Sequence, residues 1–192
     1  MHIDAAGLLV TAQFITSPNC DERPADTEIS LLVIHNISLP PNEFGGDGVI
    51  ELFTNQINPE AHPYYQTLQG LKVSAHFFIR RDGTIIQFVP CSQRAWHAGA
   101  SNWQGNERCN DYSIGIELEG SDITQFTEKQ YTALITLTKC LCDYYPIKDI
   151  AGHSDIAPGR KTDPGSYFDW ERYSNGLRRD LIMRSTSSDL VK

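Results

Sequence analysis

The stretch LLVIHN, residues Leu31–Asn36, is a continuous apolar run that ends abruptly in polar residues. Such a run predicts a β-strand that is buried on both faces and lies in the middle of a covered sheet. His35 ends the run, and a histidine there is more often a core or capping residue than a ligand. In layered α/β folds, however, ligands usually bind at strand ends, so His35 is also a candidate site residue.

Two further segments predict strands. Residues Val73–Pro90 alternate around a DG pair at 82–83, which predicts a hairpin with a tight turn. In Ser113–Gly120 the isoleucines and the leucine face one side, whereas the glycine and the two glutamates face the other. These segments are predicted to form further strands of the sheet that has LLVIHN at its centre.

Helices are predicted between and after these strands. A short amphipathic helix covers Val49–Phe53, and a capping-box pattern at Thr127–Gln130 begins a longer one. A last helix is predicted over about 169–184. Strands interleaved with helices predict an α/β protein of the α+β type, with a central mixed β-sheet flanked by helices.

The chain has 192 residues, a net charge of −8 and a pI of about 5.1. This length predicts a single domain over 1–192, with a core at about 17–184 and a polar tail at 185–192. The negative charge argues against nucleic acid or an anionic membrane surface as a partner. A small anionic ligand remains possible if a local basic pocket receives it.

The first twenty residues and the cysteines bear on the compartment. Residues 1–20 have no basic start, and polar side chains interrupt their apolar stretch, so neither a signal peptide nor a membrane-spanning helix is expected. The odd cysteine count and spacing indicate no disulfide framework. Reduced thiols in the cytoplasm are therefore predicted. The five cysteines are Cys20, Cys91, Cys109, Cys140 and Cys142.

The segment GHSDIAPGRKTDPG, residues Gly152–Gly165, concentrates ionisable groups among glycines and prolines. This composition excludes a regular helix. A solvated surface turn is one interpretation. The other is a rigid platform that holds His153 and Asp163 in place as metal ligands.

Glu117 projects from a strand whose other face is apolar. It is either a solvent-facing glutamate, as is expected for Glu119 beside it, or a carboxylate covered by the loop. In the second case desolvation raises its pKa and makes it a usable general acid or base near neutrality.

Together these residues predict a catalytic zinc site. His35, His153 and Asp163 would supply two imidazoles and one carboxylate and leave a fourth position for water, whose pKa zinc lowers to about 7. His76 and His97 are rival ligands. On this hypothesis Glu117 takes the proton of the water. Lys161, two residues before Asp163, stabilises the oxyanion formed when water attacks a carbonyl.

These residues lie in segments that resemble a known family. The segments are LLVIHNISLPPNEFGG, AHPYY, VSAHFFIRRDGTIIQFVP, RAWHAGASNWQGNERCNDYSIGIELEG and GHSDIAPGRKTDPG. Over about 17–172 the chain is similar to the type 2 N-acetylmuramoyl-L-alanine amidases, which share a fold with peptidoglycan-recognition proteins and phage T7 lysozyme. The resemblance implies one zinc ion on His35, His153 and Asp163, with Glu117 and Lys161 as catalytic residues.

The resemblance also implies a reaction. A monomeric cytoplasmic enzyme would hydrolyse the amide between the lactyl group of 1,6-anhydro-N-acetylmuramic acid and L-alanine, and release the stem peptide for peptidoglycan recycling. Loss of this activity is linked to derepression of inducible β-lactamase through accumulating muropeptides.

Substrate contacts follow from the same resemblance. Asn36, Trp96 and Arg108 match positions that line the groove of the family. Lys72 stands where an arginine is expected, and Trp103 stands where a tyrosine is common. Lys72 keeps the charge but loses the planar fork that grips a carboxylate with two hydrogen bonds.

Two alternatives stay open. The same fold serves non-catalytic modules that bind muropeptides without cutting them, although these often lack one of the five ligand and catalytic residues present here. A periplasmic amidase acting on broader peptidoglycan would need a signal peptide or lipobox. Nucleic-acid regulation is disfavoured, because no basic recognition helix is visible.

Overall fold

The computed structural model describes residues 1–177 and 182–183. The strands in chain order are β1 (Gln13–Phe14), β2 (Cys20–Glu22), β3 (Leu31–Ile37), β4 (Phe77–Ile79), β5 (Ile85–Gln87), β6 (Gln93–Ala95), β7 (Asn102–Trp103), β8 (Asn106–Glu107), β9 (Ser113–Glu119), β10 (Asp149–Gly152) and β11 (Ile182–Met183). The helices are α1 (Gly48–Phe53), α2 (Pro63–Gln66), α3 (Glu128–Tyr144), α4 (His153–Ile156) and α5 (Trp170–Leu177), and Cys109–Asp111 forms a 3-10 turn.

Seven of these strands form one mixed sheet, in the order β1-β5-β4-β9-β3-β10-β11. The neighbours β4, β9, β3 and β10 run parallel, and β4 pairs with β5 as the antiparallel hairpin predicted around residues 82–83. Strand β3 is internal, and its residues from Leu31 to His35 are buried. The predicted central strand and mixed sheet are thus confirmed.

One face of the sheet packs through an apolar core against α3 and α5. The capping box at the start of α3 is present: Gln130 N donates to Thr127 Oγ1 at 3.1 Å, and Thr127 N donates to Gln130 Oε1 at 3.0 Å. From β9, three side chains enter this core, as the alternation predicts. They are Ile114, Ile116 and Leu118, and they pack with Leu32 and Ile34 of β3 and with Tyr131, Leu134, Leu137, Leu141, Tyr173 and Leu177 of the helices.

The other face carries two separate apolar clusters. One surrounds Phe78 beneath α1, and the other surrounds Val33 beneath α4. Between them β9 presents Ser113, Gly115, Glu117 and Glu119, all buried, which we call the polar row. The layered architecture therefore places a buried polar strip in the middle of one face of its sheet.

Glu119 corrects an expectation. Predicted to face solvent, it is only 3% exposed. Its Oε1 accepts from Gly45 N at 2.5 Å and its Oε2 accepts from Arg81 N at 2.8 Å. Two segments far apart in the sequence cover this end of β9, so the local alternation could not reveal the burial.

The carboxyl-terminal prediction and the loop prediction also need correction. Helix α5 ends at Leu177, and Ile182–Met183 pair with β10 as a strand, so a helix continuing to 184 is wrong. The predicted tail at 185–192 lies outside the described residues.

Within Gly152–Gly165 the first four residues after the glycine form the one-turn helix α4, because the helix breakers begin only at Pro158. Across the described part of the chain, no helix has the length and apolarity needed to cross a membrane.

Candidate active site

Three side chains bring one ligand atom each to the carboxyl end of the parallel strands. His35 lies near the end of β3, His153 begins α4 directly after β10, and Asp163 lies in the loop that follows. His35 Nδ1, His153 Nδ1 and Asp163 Oδ2 lie 3.0 Å from one another. Tetrahedral zinc ligands with bonds of about 2.1 Å lie about 3.4 Å apart. The cluster thus resembles one face of such a site, slightly contracted.

The outer nitrogens of both imidazoles point away from this cluster. His153 Nε2 donates to Ala98 O at 3.1 Å, so neutral His153 has a lone pair on Nδ1. His35 Nε2 lies 3.0 Å from His97 Nδ1. Burial lowers the pKa of His35 to about 4, which leaves its imidazole neutral at pH 7. Two imidazole nitrogens and a carboxylate oxygen that converge on one point fit a bound cation.

Glu117 stands beside the cluster on the neighbouring strand. Its backbone is paired with His35 in the β3–β9 register, and its Oε1 lies 3.9 Å from His35 Nδ1. Its Oε2 is buried and has no hydrogen-bond partner among the described residues. Burial and the charge of Asp163 raise the pKa of Glu117 well above its usual value, against the opposing charge of Lys161. Glu117 is therefore the covered carboxylate of the two sequence interpretations.

The loop that carries Lys161 and Asp163 is tied to the sheet by Asp122. Asp122 Oδ1 accepts from Asn36 Nδ2 at 2.7 Å, and Asp122 Oδ2 accepts from Thr162 Oγ1 at 2.5 Å. Sequence analysis missed Asp122, because a lone aspartate after a strand matches no motif. It fixes the position of the loop between the candidate catalytic lysine and the third ligand.

A groove of about 830 Å³ runs past the cluster. Asn36, Lys72 and Trp96, which the resemblance places in a substrate groove, line it together with Glu117 and Lys161. Exposed apolar side chains on its wall are Tyr64, Leu71 and Ile123. The structure thus brings three of the four predicted substrate-contacting residues to one surface beside the ligand atoms.

Arg108 and Trp103 lie elsewhere. Both line a separate depression at the amino ends of β3 and β10. Arg108 Nε lies 3.2 Å from Asp111 Oδ2, and the Arg108 side chain is 78% exposed. Trp103 Nε1 donates to Asp149 Oδ2 at 3.2 Å. The structure therefore leaves Arg108 outside the groove where the sequence predicts it, at an exposed position beside Asp111.

The two rival histidines contribute no atom to the ligand cluster. His76 Nδ1 accepts from Gly115 N at 3.0 Å, and His76 Nε2 lies 3.1 Å from Gln93 O. His97 is buried behind His35. His76 is thus structural, whereas His97 contacts a candidate ligand directly.

The site lies at the carboxyl ends of the strands of a mixed sheet and combines two histidines, an aspartate and a buried glutamate. This arrangement is typical of a hydrolase with a metal centre. The family model described as N-acetylmuramoyl-L-alanine amidase matches residues 25–166. The chain belongs to this family of amidases, which confirms the enzyme class predicted from the sequence.

Individual relatives support the assignment. The chain is 56% identical over 183 residues to the 1,6-anhydro-N-acetylmuramyl-L-alanine amidase AmpD of Escherichia coli (strain K12), covering 94% of this chain and 97% of that one. The crystal structure of a selenomethionine AmpD derivative matches with a TM-score of 0.90 and 54% identity, covering 92% and 99% of the two chains. The peptidoglycan-recognition protein PGRP-SA of Apis mellifera matches with a TM-score of 0.61 at 15% identity, covering 91% and 98%, which confirms the predicted fold.

Proposed function

We propose that this amidase hydrolyses the bond between the lactyl group of 1,6-anhydro-N-acetylmuramic acid and L-alanine, and releases the stem peptide in peptidoglycan recycling. The substrate named for the Escherichia coli relative supports this, since the two chains align over nearly their full lengths. We further propose a single-domain monomer in the cytoplasm. Within the described residues no disulfide joins any of the five cysteines, which agrees with a reducing compartment.

The convergence of His35, His153 and Asp163 beside Glu117 is the observation that carries the proposal. Two imidazole nitrogens and one carboxylate oxygen form a donor set that suits zinc, and three protein ligands are typical of catalytic rather than structural zinc sites. When bound, zinc would supply a Lewis acid that polarises the amide carbonyl and acidifies water.

Glu117 would move the proton. Its unpartnered Oε2 is a free acceptor in a covered position, so it can take a proton from the attacking water. The same carboxyl group can then deliver that proton to the departing nitrogen of L-alanine. This cycle adds water across the amide bond and returns Glu117 to its starting state.

Lys161 and the groove would hold the substrate. The ammonium of Lys161 lines the groove next to Glu117, where it can stabilise negative charge on the carbonyl oxygen under attack. Asn36 and Trp96 offer polar and aromatic contacts, and Lys72 offers a charge for a carboxylate of the stem peptide.

Mass spectrometry of one competition reaction tests the proposal. Zinc-loaded protein receives equal amounts of anhydro-muramyl-tripeptide and its non-anhydro counterpart. Release of tripeptide from the anhydro form alone is expected. Release from both would retain the amidase and reject the narrow specificity, and binding without release would favour the non-catalytic module.

A further inference from the structure

We propose that the segment His97–Ala98, held in place by the side chain of Asn110, fixes the orientation of both histidine ligands. His97 and Asn110 would then be positioning residues for the metal centre. This inference rests on the proposed assignment of His35 and His153 as ligands.

Two adjacent residues contact the outer nitrogens of both ligands. His35 Nε2 lies 3.0 Å from His97 Nδ1, and His153 Nε2 donates to Ala98 O at 3.1 Å. The partner of the outer nitrogen determines which ring nitrogen carries the proton and how the ring is turned. One side chain and the neighbouring backbone carbonyl therefore orient the two imidazoles.

The ring of His97 has little freedom of its own. Its Nε2 lies 3.1 Å from Ser113 Oγ. When Nε2 carries the hydrogen and donates to Ser113 Oγ, His97 Nδ1 has a lone pair and can accept a hydrogen bond from His35 Nε2. The ring lies directly over Gly115, where a Cβ would come 2.4 Å from His97 Cγ. Strand β9 thus supplies both a polar anchor and the space that the ring occupies.

Asn110 holds the backbone of the segment. Its Oδ1 accepts from His97 N at 3.1 Å and from Ala98 N at 2.8 Å. The carbonyl of Asn110 accepts in turn from Arg23 Nη1 at 3.2 Å, which ties the 3-10 turn to a guanidinium that also contacts Ser113 O. This side-chain oxygen, together with Arg160 Nη2, which donates to Ala98 O at 2.7 Å, therefore holds the segment that receives both ligand contacts.

The experiment compares metal binding by four variants with that of the wild type. His97→Ala and Asn110→Ala remove the contacts, whereas His97→Asn places an amide oxygen near the position of Nδ1 and Asn110→Asp keeps Oδ1. Zinc affinity comes from chelator competition, cobalt coordination from its visible spectrum, and Tm from the metal-free proteins. The alanine variants should bind zinc about 10–100-fold more weakly with an altered cobalt spectrum, and the conservative variants should recover most of the affinity.

His76→Gln is the matched control. His76 is an equally buried histidine that contacts Gly115 N but no ligand, so its variant should lower Tm without weakening zinc binding. Zinc affinities of both alanine variants within twofold of the wild type would overturn the inference. If either alanine variant fails to fold, His97→Leu or Asn110→Leu replaces it, since leucine fills more of the volume and also lacks the acceptor. Zinc affinity of the replacement within twofold of the wild type would then overturn the inference. If His35→Ala left the wild-type affinity intact, the ligand assignment itself would fall instead.

Discussion

The two sides of β9 are both buried but differ in their chemistry. Ile114, Ile116 and Leu118 enter an apolar core beneath α3 and α5, whereas the polar row on the other side is equally buried among polar partners. Burial on the first side is favourable wherever the packing is good. Burial on the second side is costly unless each polar atom finds a partner.

The polar row itself treats its two glutamates differently. Glu119 accepts from two backbone amides, one on each carboxylate oxygen, whereas Glu117 keeps Oε2 without a partner. Two buried carboxylates on one strand face thus serve different purposes. Glu119 binds the backbone amides of Gly45 and Arg81, and Glu117 remains available to move a proton.

Glu117→Gln tests whether the polar side of β9 supplies the proton acceptor of the reaction. Loss of the proton acceptor should lower kcat about 10²–10⁴-fold, measured by chromatography of the released peptide. Replacing a poorly partnered buried carboxyl group by a neutral amide should leave the Tm of the metal-free protein unchanged or higher. Full activity in this variant would contradict the assigned role.

Ile116→Ala changes the adjacent residue on the apolar side. Ile116 is fully buried, so truncation should cost about 2–5 kcal/mol of unfolding free energy in urea titrations. Activity per folded molecule at low temperature should remain close to that of the wild type. A large fall in kcat with intact folding would mean that the two sides of β9 are not separable.

Glu119→Ala should produce the reverse of the effect expected for Glu117→Gln. Two amides lose their acceptor, which should cost about 1–3 kcal/mol and lower Tm by roughly 2–4 °C per kcal/mol. Turnover should change little, because Glu119 contacts Gly45 and Arg81 rather than the ligand cluster. Calorimetry with a parallel activity assay separates the two effects.

Thr162→Val should give the smallest effect. The variant removes the hydroxyl that donates to Asp122 and so breaks the link from the catalytic loop through Asp122 to Asn36. A loss of about 1 kcal/mol corresponds to a fall of about fivefold in kcat/KM. Thr136→Val, at an exposed threonine on α3, is the control, and equal effects from both would reject a role for the Asp122 contact.

Much of this arrangement follows from local sequence pattern. The apolar run of β3, the alternation of β9 and the capping box of α3 each depend on residues that are close in the chain, and the structure confirms them. The end of α5 did not follow, because pairing of Ile182–Met183 with β10 overrides the helical spacing.

The site was predictable where residues follow strand ends. His35, His153, Asp163 and Glu117 come together because parallel strands carry their carboxyl ends to one edge. Asn110 and Asp122 were not predictable, because their importance comes from partners in other segments. The position of Arg108 likewise depends on its ion pair with Asp111 and on the conformation of its turn.

The wide separation of the ligands along the chain has a consequence for folding. His35 is 118 residues from His153 and 128 from Asp163. The ligand atoms meet only after β3 has paired with β10, so an unfolded chain offers no preformed site to an ion. A metal ion would therefore bind only after the sheet has formed. It would stabilise the folded protein by mass action and would not help the sheet to fold.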